Sequence, residues 1–390
     1  MNSEITNNEI FQIVGTFLVG FLVTVGVIPK IIKFTKKHKL MDDPTLDKEQ
    51  RKMHKDPIPT LGGLGIFLGF IVATGAWMVI YGNMMILSIA ISLIILFVTG
   101  IFDDLTDLRA SLKFLIQIGT AILVAKFGLR IESLNGIFGV EEIPVFIQYA
   151  FSVFLIVGLT NAFNLIDGID GLAGGLSFIN ALVLGTILLF VRHDLAFSLI
   201  AMGFAGALLG FLKHNFNPAK IFMGDTGSLI IGFLMAVLGI VVIQGTKETT
   251  LLQPEEITGL TVIVVGILLL PVYDTLRVFT ERILINKTSP FKPDKNHVHH
   301  LLIETGSNHK KAAIILYIAN AIIIIVAFLL KGINPTIAVP FLFVLAAILS
   351  ESINLKRWLI ALAKGKKAEE ESEKLTDENQ YLSRDSKDFD

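Results

Sequence analysis

Apolar residues along this chain gather into long runs separated by short polar breaks. The runs approach the roughly 20 residues that a helix needs to cross a bilayer. Eleven are predicted as helices, with approximate limits 9–29, 60–81, 84–102, 111–128, 143–163, 171–191, 194–212, 226–243, 257–279, 312–330 and 334–353. In hydrocarbon the backbone must satisfy its own hydrogen bonds, so only helices or closed barrels can span. Barrel strands would alternate apolar and polar positions, and these runs do not. The expected fold is therefore all-α, a polytopic membrane helix bundle of about eleven transmembrane helices. The first run opens among acidic residues, lacks a basic lead-in and ends in Val27-Ile28-Pro29-Lys30 without a small-residue cleavage site. It reads as a span rather than as a cleaved signal. No repeat of fixed period is visible, and the two halves carry no matched pair of broken helices.

Composition narrows the class further. Of 390 residues, 53% are hydrophobic and 17% charged, against roughly 25% charged in soluble domains. An ordinary water-soluble globular protein and a disordered chain are both excluded. A net charge of -1 leaves nothing for a nucleic-acid backbone to recognise. The absence of cysteine excludes disulfides, thiolate metal sites and Cys nucleophiles.

Charge sets the orientation. With the N-terminus outside, the inner loops are 30–59, 103–111, 164–170, 213–225 and 280–311, followed by the tail 354–390. Counting Lys113, they hold 27 Lys and Arg, against 4 in the outer loops. The excess places the C-terminus in the cytoplasm. Residues 1–353 form the membrane domain, and 354–390 form a charged tail too poor in apolar residues to fold alone.

Five polar clusters lie at the inner ends of the spans. The first runs from Arg51-Lys52 through His54 and Pro57 to Thr60-Leu61-Gly62-Gly63. It is either a basic flank with a helix cap or an anion site at a glycine-rich helix start. The second is the adjacent pair Asp103-Asp104, followed by Asp107, Arg109, Lys113 and Gln117. Adjacent carboxylates suit a divalent cation or a general base, or else a capped, solvated turn. In the third, Asn161, Asn164, Asp167 and Asp170 recur every three residues among glycines. Four polar side chains exceed what one cap requires, and the glycines would open the backbone to a ligand. The fourth, Met223-Gly224-Asp225-Thr226-Gly227-Ser228, opens a helix on an acidic residue. The fifth is the loop 280–311, where Lys292 and Lys295 precede His297, His299 and His300. The carboxylates favour a hard, oxygen-ligated cation over zinc. Carboxylates for a cation and basic groups for phosphates, gathered on one membrane face, equip a protein for phosphoryl transfer. A lipid-soluble substrate would explain why the site is built into a membrane.

These residues, in this order over about 42–302, resemble the polyprenyl-phosphate N-acetylhexosamine-1-phosphate transferases of glycosyltransferase family 4. The Asp-Asp pair, Asn-x-x-Asp-Gly-x-Asp-Gly, Met-Gly-Asp-x-Gly-Ser and His-x-His-His carry the resemblance together. The segment Ser289-Pro290-Phe291-Lys292-Pro293-Asp294 is similar to the GlcNAc-1-phosphate branch rather than to the MraY-type phospho-MurNAc-pentapeptide translocases. The resemblance implies a UDP-N-acetylhexosamine donor, undecaprenyl phosphate as acceptor, UMP as product, Mg²⁺ or Mn²⁺ as cofactor, and a bacterial inner-membrane setting in which a homodimer is also compatible. It implies that Asp225 is a metal ligand and that Asp103, Asp104, Asp167, Asp170 and Lys113 are catalytic. Asn164, His54, Thr60, His297, His299, His300 and Lys292 would bind substrate. An ion-coupled carrier is the competing class, but carriers place ionisable residues near the midplane. An inactive scaffold is a third, and the intact carboxylates argue against it.

Overall fold

The computed structural model describes residues 5–42, 57–246, 252–290 and 296–353. In chain order its helices are α1 (Asn7–His38), α2 (Gly62–Ile80), α3 (Met84–Thr106), α4 (Ala110–Lys126), α5 (Val145–Ile166), α6 (Leu172–Phe190), α7 (Leu195–Asn215), α8 (Gly224–Gln244), α9 (Pro254–Thr280), α10 (Val298–Glu304), α11 (His309–Leu329) and α12 (Pro335–Ile353). Two-residue strands β1 (Met41–Asp42) and β2 (Ile58–Pro59) pair antiparallel, Met41 opposite Pro59. Each of the eleven predicted runs is a helix. Ten are long and apolar enough to cross a membrane. The other, α4, has 17 residues, the short end of the spanning range.

Several ends differ from the prediction. The first helix continues nine residues beyond Pro29, because Ile31 and Thr35 stay buried and the Thr35 hydroxyl bonds back to the Ile31 carbonyl at 3.0 Å. Its basic last turn suits the negative helix end. The Asp103-Asp104 pair lies inside the last turn of α3 rather than in a solvated turn. Beyond Thr280, α9 runs on through one π-helical turn, Glu281–Ile285. The charged tail 354–390 lies outside the described residues.

The bundle is organised around α8, which is apolar on every face and buried throughout its hydrophobic stretch. Such a helix is stable only inside other helices or lipid. Here α2, α3, α5, α6 and α9 surround it. The outermost helices, α1 and α12, bury only 22% of theirs. Glycine sets the closest approaches. A Cβ at Gly206 of α7 would lie 2.1 Å from the Phe17 carbonyl of α1, and one at Gly232 of α8 would lie 2.5 Å from Thr160 Cα of α5. At one end of the bundle Arg192 closes α8: its guanidinium donates to the carbonyls of Val242 (2.7 Å) and Ile243. The polar clusters gather at the other end, around the start of α8.

Candidate active site

The start of α8 is shaped by what must fit beside it. Gly224 has φ of +73°, and a Cβ there would lie 2.4 Å from the Thr60 carbonyl and 2.6 Å from the Asp104 carboxylate. Asp104 reaches across from α3 and accepts three hydrogen bonds: Asp225 N at 2.7 Å, Thr226 N at 3.1 Å and Thr226 Oγ1 at 2.5 Å. It therefore caps α8, whose own N-cap residue, Met223, offers no side-chain acceptor. Two glycines allow this. A Cβ at Gly100 would lie 2.4 Å from Thr226 Cα, and one at Gly63 would lie 2.1 Å from Gly227 N.

The same packing corrects the anion-site alternative at Gly62-Gly63. Gly62 N donates to Phe222 O and Gly63 N to Met223 O, both at 2.8 Å. Those donors are consumed in joining α2 to the approach to α8, and the glycines make room for backbone rather than for phosphate. Thr60 lies at this junction through its carbonyl. His54, with Arg51 and Lys52, lies outside the described residues, as does Lys292.

Around this cap sits a charged cluster drawn from α3, α4, α5 and α8. Lys113 Nζ lies 2.7 Å from Asp103 Oδ2 and 3.3 Å from Asp225 Oδ2. Asp103 Oδ1 accepts Leu108 N at 2.8 Å, which fixes the α3–α4 turn. Lys113 thus joins Asp103 to Asp225. Asn164 Nδ2 donates to Asp225 Oδ1 and to Ser228 Oγ, the latter at 2.8 Å. One turn deeper, Asn161 Nδ2 meets Gln117 Oε1 at 2.6 Å. The three-residue spacing read in the sequence thus puts Asn161 and Asn164 on one face of α5, toward α4 and α8.

Asp167 ends α5 and differs from its neighbours: its carboxylate makes no hydrogen bond or ion pair among the described residues. Burial first, then the charges of Asp225, Asp104 and Asp170, push its pKa up to about 7. Four carboxylates, those of Asp103, Asp104, Asp167 and Asp225, thus gather around the start of α8, and among the described residues Lys113 pairs with two of them, Asp103 and Asp225. They do not close into a three-ligand cage among the described residues. An all-oxygen donor set with uncompensated negative charge nevertheless fits a hard cation. Mg²⁺ keeps waters and substrate phosphates in its shell and needs only one or two carboxylates.

Asp170 does not join the cluster. Its Oδ2 accepts Asn217 Nδ2 (2.8 Å) and Ala219 N (3.1 Å), and its Oδ1 lies 3.1 Å from His309 Nδ1 at the start of α11. Burial alone would raise this carboxyl, but the bonds from His309, Asn217 and Ala219 hold it below the usual carboxylate range. It braces the turn that carries Asp167. The glycines nearby serve packing rather than an open backbone. Gly168 admits the His299 ring, whose Nε2 would lie 2.0 Å from a Cβ, and Gly175 admits the Tyr317 hydroxyl.

The histidine loop docks onto this turn. His299 is buried against Gly168; burial, reinforced by His300, pushes its pKa down to about 3, so the ring is neutral. His300 lies 4.2 Å from it, ring centre to ring centre. His297 is anchored: its Nδ1 lies 2.8 Å from Asp274 Oδ2 of α9. Sequence reasoning missed Asp274 and His309. The only signal for Asp274 was a lone carboxylate inside the apolar run Leu270-Pro271-Val272-Tyr273.

The glycosyl transferase family 4 model matches residues 86–243, the stretch that carries Asp103 through Asp225. A probable undecaprenyl-phosphate N-acetylglucosaminyl 1-phosphate transferase of Bacillus subtilis is 36% identical, covering 87% of this chain and 90% of its own length. The undecaprenyl-phosphate alpha-N-acetylglucosaminyl 1-phosphate transferase of Escherichia coli K12 is 31% identical, covering 84% and 87%. A decaprenyl-phosphate N-acetylglucosaminephosphotransferase of Mycolicibacterium smegmatis is 31% identical, covering 70% and 72%. With relatives at least 31% identical over 72–90% of their own length and the family's motifs gathered at one end of the bundle, the chain belongs to glycosyl transferase family 4.

Proposed function

We propose that the protein transfers GlcNAc-1-phosphate from UDP-GlcNAc to undecaprenyl phosphate, releasing UMP, at the cytoplasmic face of a bacterial inner membrane. The product is the lipid-linked first unit of a cell-envelope glycan. The single observation that carries the site assignment is the gathering of four carboxylates at one end of the bundle, two of them paired with Lys113 and one, Asp167, with no partner among the described residues. The names of the relatives support the sugar phosphate and the lipid. The excess of Lys and Arg in the loops at this end supports the cytoplasmic placement.

In the reaction an oxygen of the lipid phosphate attacks the phosphorus that bears the sugar. A new P–O–P bridge forms as the bridge to UMP breaks. One pyrophosphate linkage replaces another, so the protein's task is positioning and charge neutralisation. Lys113 offers its ammonium to the pyrophosphate. Asp103 aims Lys113, and Asn164 aims Asp225. Asp167 accepts the proton when the lipid phosphate arrives singly protonated, since a phosphate monoester loses its second proton near pH 6. Asp225, joined to Asp103 through Lys113, would hold Mg²⁺ or Mn²⁺. Such a cation supplies charge neutralisation for the phosphates and leaves a covalent enzyme intermediate unnecessary. Asp104 and Asp170 act on the frame, the first by capping α8 and the second by bracing the Asp167 turn. His299 and His300 close over that turn.

Purified protein, undecaprenyl phosphate and Mg²⁺, with UDP-GlcNAc competing against UDP-MurNAc-pentapeptide, test the reading by UMP release. UDP-GlcNAc should be preferred, and excess chelator should abolish turnover. A preference for the pentapeptide donor would overturn the donor assignment. No UMP from any UDP-sugar would overturn the whole reading.

A further inference from the structure

Asp274 is a carboxylate near the C-terminal end of the apolar span α9, 2% exposed. Burying an ion there costs several kcal/mol unless it is fully paired. Its partners all come from the histidine loop or from its own helix. Oδ2 takes His297 Nδ1 at 2.8 Å, and Oδ1 takes Val298 N at 2.9 Å and the Arg277 guanidinium at 3.2 Å. The Val298 bond supplies the cap that α10 lacks, since His297, its N-cap residue, makes no side-chain cap of its own. The guanidinium also donates to the Asn296 carbonyl. Three consecutive residues, 296–298, are thus tied to one turn of α9.

The tie orders the ring of His297 as well as the chain. A carboxylate can only accept, so Nδ1 must carry a proton, which leaves Nε2 as the ring atom free to meet another group. Nε2 makes no bond among the described residues and is not sealed from solvent. The ring lies parallel to that of His299, 8° between planes and 5.8 Å between centres, and His299 rests on Gly168 beside Asp167. We infer that Asp274 is a positioning residue for the transfer: it fixes His297 with Nδ1 as donor and presents Nε2 to the phosphate or sugar of the UDP-linked substrate. This inference rests on the transferase reading above.

A double-substitution cycle tests it. His297→Asn keeps an amide N–H where Nδ1 stood, and so keeps the Asp274 bond, but removes Nε2. Asp274→Asn keeps the shape but no longer dictates which ring nitrogen holds the proton, the logic known for carboxylate–histidine pairs. Each change should lower kcat/KM for UDP-GlcNAc by about 10- to 100-fold, the usual loss for a partner one step removed from the ligand. The double variant should be no worse than His297→Asn alone, because groups acting as one unit are not additive. His297→Asn should melt at the wild-type temperature. If Asp274→Asn does not fold, Asp274→Glu, which keeps the charge but displaces it by a methylene, takes its place in the cycle. Wild-type kcat/KM in His297→Asn, or losses that simply multiply in the double variant, would overturn the inference. A wild-type protein that releases no UMP would instead sink the transferase reading.

Discussion

Asp104 and Asp167 sit in the same acidic cluster, yet the structure gives their removal opposite signatures. The Asp104 carboxylate caps α8 through three hydrogen bonds, at 2.7, 3.1 and 2.5 Å. In Asp104→Ala all three are lost. A lost N-cap costs about 1 kcal/mol. Thr226 is fully buried, and stranding its donors adds about 1–3 kcal/mol. The expected loss is therefore about 2–4 kcal/mol of stability, with turnover falling because Asp225 lies in the freed first turn of α8. Asp167→Asn removes a carboxylate that holds nothing in place among the described residues, so turnover should collapse while the melting temperature stays level or rises. Thermal melts of detergent-solubilised protein, read beside UMP release, separate the two. An Asp104→Ala protein that melts like the wild type yet is inactive would refute the capping argument and make Asp104 a chemical participant.

Three further outcomes follow from the geometry. Because burial and neighbouring carboxylates raise Asp167 from 3.8 to about 7, the folded chain holds this proton more tightly than the unfolded one; its stabilising contribution is full below pH 3.8 and is lost as pH climbs through 7. In chelator, wild-type melting temperature should then fall between pH 5 and pH 8 more steeply than that of Asp167→Asn, and parallel curves would count against the shift. Gly100→Ala would set a Cβ 2.4 Å from Thr226 Cα; backbone cannot swing aside, so about 1–3 kcal/mol of stability and most turnover should go together in the same melt and UMP assays. Reporters fused at Gly139 and Ser289 should land on opposite sides of the membrane, and finding both on one side would break the orientation drawn from the basic loops.

The sequence made the spans and the polar clusters legible for one reason: charge is costly near a bilayer, so Asp103, Asp167 and Asp225 stand out against apolar flanks. It could not sort their roles. Asp104 and Asp103 are adjacent and chemically identical, but α3 turns one onto the α8 backbone and the other onto Lys113. Nothing in a linear pattern gives that rotation. The glycines misled for a related reason. Gly62, Gly63 and Gly168 read as openings for a ligand, whereas each is an approach between parts of the chain distant in sequence. Asp274 went unremarked because two of its three partners, His297 and Val298, lie 23 and 24 residues away, beyond any helical periodicity.

α8 is held at both ends by side chains that are not its own, Asp104 at the start and Arg192 at the finish. Bilayers differ in thickness by a few Å, and helices in contact with lipid respond by tilting or bending. That response falls on α1 and α12, which bury only 22% of their hydrophobic stretch. α8 meets protein on all sides and is clamped at its two ends, so it has neither the contact nor the freedom to follow. The placement of Asp225 at the start of α8 is thereby shielded from membrane thickness. A host that remodels its lipids with temperature or growth phase would act on this site through the lipid-facing helices, and leave the helix that carries Asp225 as it was.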